Sequence, residues 1–340
     1  MPQPTPEIAV DPTGNGPGDA APTAATTKDA GPPRTGLAAL PGLYADLVKF
    51  RLSLLVVGTA AVGAFMASYG DIDWPRVGWA VVGTMLCAAS ANAFNQVIEY
   101  RRDMLMERTK DRPVPSGRMS PWHGWVVAAL LGYAGAAVLA LLVNTLSCGL
   151  AILTLLLYVL CYTPLKSRST LNTLVGALVG AIPPLIGWAA VRDSLGPEAW
   201  LLAALLFLWQ LPHFLALAWI LRDQYAGAGF RMLPISPGGE HATCESTLMS
   251  TLLLIPLSLI ATLMGMAGMI YAGIALLVGC WWAWRALTFF RVRDRVSARR
   301  VFLASLLYLP LVLGAMVLDR RPILDTPAVM NIMAERQHNP

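Results

Sequence analysis

Residues 77–113 read VGWAVVGTMLCAASANAFNQVIEYRRDMLMERTKDRP. The stretch up to residue 98 carries no charged side chain and is long enough, at about 20 residues per crossing, to span a hydrocarbon core of ~30 Å as a helix. The charges then arrive together, beginning at Glu99. Asn95, Glu99 and Asp103 recur every four residues, so a helix that runs on past the membrane surface lines their oxygens along one face. Carboxylates stacked that closely repel one another unless a cation lies between them, and an all-oxygen donor set suits a hard ion such as Mg²⁺. Arg108, Lys110 and Arg112 follow at once. Acids for a metal beside several cations are what a diphosphate ester requires, because both neutralise its oxygens. The spacing alone weighs equally for a solvated loop whose arginines mark sidedness and whose acids pair with them.

The rest of the chain sets that segment in a membrane. Of 340 residues, 56% are hydrophobic and 13% charged, against roughly a quarter charged in soluble domains, which excludes an ordinary soluble enzyme. Apolar runs recur near 52–69, 77–98, 122–143, 146–163, 171–191, 200–220, 247–268, 270–290 and 301–318. The expected fold is an all-α polytopic membrane protein of about nine transmembrane helices. Its longest internal loops, 99–121 and 221–246, leave no room for a soluble domain, so the chemistry belongs to the helices and these loops. With the amino terminus in the cytoplasm, 20 of the 25 basic residues fall on the inner side, as the positive-inside rule requires. Pro183-Pro184 is expected to break or bend the fifth span.

Residues 1–40, rich in proline and glycine, are expected to form a disordered cytoplasmic tail, and 319–340 a short extracytoplasmic one. The amino-terminal segment lacks a signal-peptide core and carries more acids than bases, unlike an organelle transit peptide. The expected location is therefore the plasma (inner) membrane of a bacterium. The net charge of +5 is explained by loop topology rather than by nucleic acid. Five scattered cysteines suggest neither disulfides nor a metal site.

Four segments in order carry a resemblance. The run NQxxExxxDxxMxRTxxRPxPxG from Asn95 resembles the first signature of the UbiA-type intramembrane prenyltransferases, specifically the haem O synthase (protohaem IX farnesyltransferase) family. Tyr162-Thr-Pro-Leu-Lys166-Ser-Arg168 with Asn172, Gly176, Gly180 and Pro183-Pro184-Leu-Ile-Gly187-Trp188 is similar to a second family segment. Trp209-Gln210-Leu-Pro212-His213-Phe214 with Leu217-Ala218-Trp219 is similar to a third, and Met232-Leu233-Pro234 closes the following loop as in the family. Lys49-Phe50-Arg51 stands where the family has Lys-Pro-Arg. The resemblance covers residues 43–318. One departure is Arg222-Asp223-Gln224-Tyr225, where the family's acid directly before the tyrosine has moved back one position.

The resemblance implies a nine-helix bundle around a central cavity, the substrates farnesyl diphosphate and protohaem IX, and the products haem O and diphosphate, on the way to haem A and the terminal oxidases. It implies Mg²⁺ on Asn95, Glu99 and Asp103, with Asp223 as a candidate fourth ligand. It puts Asn95, Glu99, Asp103, Arg108 and Lys166 in catalysis, and Arg108, Lys110, Arg112, Tyr162, Lys166, Arg168 and Arg222 at the diphosphate. Membrane lipid and a downstream haem A synthase are the implied partners. Asn172, Gln210 and His213 are polar groups inside apolar spans, where they mark interhelical bonds or a haem or polar cavity. A prenyltransferase for an aromatic quinone or chlorophyll precursor would share the chemistry. A non-enzymatic organic-anion transporter is opposed by the position of the acids at helix ends, away from the midplane where transporters bind.

Overall fold

The computed structural model describes residues 40–68 and 72–321; the expected tails lie outside them, except for residues 319–321 and for Leu40, which opens a helix. That helix, α1 (Leu40–Leu47), leads into α2 (Phe50–Ala67), α3 (Trp74–Asp103) and α4 (Pro121–Leu142). The fourth crossing is composite: α5 (Thr145–Leu156), a π-helical segment (Leu157–Tyr162) and α6 (Thr163–Leu165). The fifth is broken at Ile182 into α7 (Asn172–Ala181) and α8 (Pro183–Arg192), since a proline removes a backbone donor and disfavours helix at the residue before it. Then come α9 (Pro197–Ile220), the short α10 (Arg222–Gly227), α11 (Gly239–Leu263), α12 (Met269–Val292) and α13 (Arg295–Leu318). Nine of these helical stretches, among the described residues, are long and apolar enough to cross a membrane.

Neighbouring spans form a closed circuit. α2 packs on α3 and α8, α3 on α4, α5 on α4 and α8, α7 on α9, α11 on α9 and α12, and α13 on α12, α9 and α2. The α2–α8 contact is close because Gly63 and Gly187 face backbone of the opposite helix, at Pro184 and Ala60, with no room for a Cβ. Tryptophans exposed near span ends, Trp74, Trp122, Trp125 and Trp200 among them, suit the membrane–water interface. Most buried polar tips find partners within the bundle, as hydrocarbon demands: Tyr308 and Ser258 hydroxyls meet at 2.7 Å, and the Trp282 indole donates to the Val301 carbonyl at 3.1 Å. The Thr84 hydroxyl is an exception.

α3 positions the site. At 1.5 Å per residue its 30 residues reach about 45 Å, so its last turns stand clear of a ~30 Å core. Asp73 caps its start by accepting from the Arg76 amide at 3.0 Å. Arg101 and Arg102 lie in its last turn, where they complement the helix dipole.

Candidate active site

Asn95, Glu99 and Asp103 share one face of α3 and are 1%, 5% and 3% exposed. Such burial needs partners, and each is met by a cation or its carrier from a different segment. The Lys49 ammonium donates to Asn95 Oδ1 at 2.7 Å, Lys166 to Glu99 Oε2 at 3.1 Å, and Arg112 to Asp103 Oδ2 at 2.7 Å. The second Glu99 oxygen, Oε1, lies 3.0 Å from the same ammonium but has no hydrogen-bond partner.

Each partner is delivered by local structure. The π-helical segment shifts the register of the fourth crossing, and Tyr158, Tyr162 and Lys166 all face the cavity. Lys166 lies 4.6 Å from the centre of the Tyr162 ring. Burial works against its ammonium, but Glu99 together with Tyr162 and Tyr158 outweighs that and raises its pKa above an ordinary lysine's. Thr163 accepts from Asn95 Nδ2 at 3.3 Å and donates to the Tyr158 carbonyl at 2.8 Å. Lys49 occupies the left-handed region at φ 48° immediately before α2. Burial, reinforced by Arg112 and Lys166, holds its pKa well below an ordinary lysine's. The loop after α3 is pinned from below: the Gln96 side chain accepts from the Val114 amide at 3.1 Å and donates to the Asp46 and Leu47 carbonyls at 3.4 Å.

Lys49, Asn95, Glu99, Asp103, Arg112, Tyr158, Tyr162 and Lys166 line a cavity of about 300 Å³ together with Arg108, Asn172, Thr173, His213, Phe214, Tyr225 and Phe230. Even without Lys49, three cations, Arg108, Arg112 and Lys166, face two carboxylates, so the cavity is net positive and suited to a polyanion. The donor set fits Mg²⁺. Among the described residues no three His, Cys, Asp or Glu side chains gather to hold an ion, but Mg²⁺ is commonly held by one or two carboxylates and completed by substrate phosphates. Glu99 and Asp103, with the Asn95 amide oxygen, supply that number.

Other expected site residues lie elsewhere. The Asp223 carboxylate is 94% exposed beside Arg222 and does not line the cavity, because α10 turns it to solvent. Arg222 bonds Glu240 at 2.7 Å, and Lys110 pairs with Glu107 at 2.6 Å in an exposed turn. Arg168 lines a neighbouring pocket with Phe230 and Arg231. Gln210 donates to the Ala177 and Leu206 carbonyls and fills the space that Gly180 leaves open, so it ties helices together. Asn172 borders the cavity, but its amide bonds the carbonyls of Ser169 and Arg231 at 2.7 and 2.8 Å. His213 faces the cavity with Nδ1 2.7 Å from Ser305 Oγ and its ring stacked on Trp209. Lys49, Tyr158 and Thr163 complete the site: Lys49 and Thr163 stand inside segments that resemble the family's but carry no role in the sequence reading, and Tyr158 has no sequence signal of its own.

Known proteins bear on this arrangement. The model of the UbiA prenyltransferase family matches residues 56–309. A protohaem IX farnesyltransferase of Koribacter versatilis is 40% identical over 299 residues, 85% of this chain and 96% of that protein. The mitochondrial protohaem IX farnesyltransferase of Arabidopsis thaliana is 40% identical over 293 residues, 84% and 68% of the two chains. Among solved structures, a UbiA homologue from Archaeoglobus fulgidus bound to GPP and Mg²⁺ superposes with a TM-score of 0.64 at 12% identity, covering 81% of this chain and 99% of that one. A digeranylgeranylglyceryl phosphate synthase superposes with a TM-score of 0.71 at 16% identity, covering 82% and 98%. The chain belongs to the UbiA prenyltransferase family and, within it, to the protohaem IX farnesyltransferases.

Proposed function

We propose that this chain transfers the farnesyl group of farnesyl diphosphate to a vinyl group of protohaem IX, giving haem O and diphosphate. The observation that carries the chemistry is the buried face of Asn95, Glu99 and Asp103 set against Lys49, Arg112 and Lys166 in one net-positive cavity. The choice of substrates is supported by the relatives of about 40% identity over more than four-fifths of the chain.

In the mechanism, the substrate's diphosphate enters between the acids and the cations. Lys49, Lys166 and Arg112 turn from their protein partners to its oxygens, joined by Arg108. The freed oxygens of Asn95, Glu99 and Asp103 would hold Mg²⁺, which supplies charge neutralisation of the leaving group. As the bond between C1 and oxygen breaks, both electrons leave with the diphosphate, and these side chains stabilise the charge that develops there. The allylic cation left behind faces the Tyr158 and Tyr162 rings, whose π faces favour positive charge. The vinyl double bond attacks C1, forming the new carbon–carbon bond and moving the cation to the carbon next to the macrocycle. Water adds there and loses a proton, which leaves the hydroxyl of haem O. The apolar walls contributed by Phe214 and Leu217 keep water from the earlier cation.

The same reading puts the site face, with the loops after α3 and α9, in the cytoplasm, and the chain in a bacterial inner membrane. The experiment is to compare Glu99→Gln and Asp103→Asn with the parent protein in membranes supplied with both substrates and Mg²⁺. Haem O formation per amount of folded protein is expected to fall about 10²–10³-fold. Full activity of either variant at saturating Mg²⁺ would overturn the assignment.

A further inference from the structure

The proposed reaction needs a second, much larger substrate, and the central cavity of about 300 Å³ lies at the bottom of the range for small-molecule sites. Its polar end is already committed to a diphosphate. Beside it, on the other side of the start of α7, two further hollows join at Thr170. The upper one, about 460 Å³, is lined by Arg168, Ser169, Arg231 and Ser236. The lower one, about 360 Å³, runs down a groove over α9 between α7 and α11, lined by Leu171, Leu174, Leu208, Leu211 and Leu253.

The head of this slot is built. The Arg231 amide donates to the Lys166 carbonyl at 2.8 Å, its guanidinium donates to the Arg168 carbonyl at 3.3 Å, and Asn172 holds the Arg231 carbonyl. Among the described residues neither guanidinium has a carboxylate within ion-pair distance. Two guanidinium groups without a carboxylate partner, above a leucine groove, complement a flat apolar molecule with two carboxylates on one edge. Protohaem has that shape, and its vinyl groups lie on the side away from its propionates. Thr173 lines both the groove and the central cavity, and Phe230 and Met232 line both the head pocket and that cavity, so a single layer of side chains separates slot from reaction centre.

We propose that this slot is the protohaem site: Arg168 and Arg231 bind the propionates, the groove over α9 takes the macrocycle, and the vinyl edge meets the farnesyl group past Thr173. This rests on the farnesyltransferase reading above. An anionic lipid headgroup would satisfy the arginines by the same chemistry, but the reaction requires a porphyrin to lie against this cavity.

The test uses purified full-length protein in detergent, with protohaem binding followed by its Soret absorbance. Arg168→Gln and Arg231→Gln are each expected to weaken protohaem binding about tenfold or more, as for loss of a charge-assisted hydrogen bond. They should raise the KM for protohaem while leaving the KM for farnesyl diphosphate within about twofold. Protohaem dimethyl ester should bind wild type as weakly as the diacid binds the double variant, and should be insensitive to either substitution. Leu211→Trp, which fills the groove and leaves the arginines, should also raise the KM for protohaem, and retained affinity for inorganic diphosphate shows that each variant is folded. Unchanged protohaem affinity in both arginine variants, or equal binding of ester and diacid, overturns the slot. So does native mass spectrometry in which the variants lose an anionic phospholipid but keep protohaem. If wild type makes haem O and the variants keep its KM, the slot alone fails; if wild type makes none, the farnesyltransferase reading fails first.

Discussion

The pair Lys166–Glu99 separates what holds the protein together from what runs its chemistry. The two side chains lie 3.0 Å apart with 14% and 5% of their surfaces exposed. At an effective dielectric constant of about 20 the attraction is ~5 kcal/mol before desolvation, and desolvation cancels much of it. Removing one partner nevertheless leaves a buried charge uncompensated, which typically costs about 3–5 kcal/mol. Without Mg²⁺ and substrate, Lys166→Met and Glu99→Gln should each lower stability by about that amount. The double variant should come back to within about 1 kcal/mol of the parent, since replacing a buried pair by neutral groups is often close to neutral. Activity must behave differently. Each single variant should lose about 10²–10³ in rate, and the double should recover none of it, because a diphosphate contact and a metal ligand are then both gone. Chemical denaturation in detergent and haem O formation are the assays. Additive stability losses, or activity that returns in the double variant, would refute the reasoning.

Four further outcomes follow from the same geometry. Mg²⁺ alone should leave the melting temperature unchanged, because cations already cover its three donors, whereas Mg²⁺ with inorganic diphosphate should raise it; a full rise with Mg²⁺ alone would contradict the pairing. Asp223→Asn should change turnover less than about twofold, and a hundredfold loss would bring α10 into the metal site. Gln96→Leu should destabilise by about 1–3 kcal/mol through the unpaired Val114 amide and the α1 carbonyls, read by thermal unfolding, and a neutral effect would remove the loop anchor. In a cysteine-free background, Ser116→Cys should label from the cytoplasm and Ser194→Cys from outside; the reverse would turn the orientation over.

The spans and the acid ladder were legible because they depend on short-range periodicity. A run of about 20 apolar residues has few folds open to it in a bilayer, and a four-residue spacing fixes which side chains share a helix face whatever the rest of the chain does. The break at Ile182 was legible for the same local reason, the prolines at 183 and 184. Loop cations were legible only in part: Arg108, Arg112 and Lys166 line the cavity, whereas Lys110, Arg168 and Arg222 do not. Lys166 and Arg168 stand two residues apart, yet one faces Glu99 and the other a separate pocket, a choice made by the loop that brings Arg231 against the Lys166 carbonyl. Asp223 likewise turns away from the cavity, since helix α10 sets its direction. Lys49 stands at a family motif, but its role was not legible because that role comes from a left-handed backbone turn and from Asn95, 46 residues on. The polar groups of the spans divided by tertiary context: Gln210 fills a space above a glycine, while His213 reaches the cavity.

The central claim is the transfer of a farnesyl group to a porphyrin vinyl. Its most direct test is mass spectrometry of the tetrapyrroles extracted after purified protein is incubated with protohaem IX, farnesyl diphosphate and Mg²⁺. The expected product is heavier than protohaem by one farnesyl group and one hydroxyl, formed only when all three are present and lost in Glu99→Gln. Unchanged protohaem, alongside farnesylation of an aromatic quinone precursor offered in the same mixture, would contradict it.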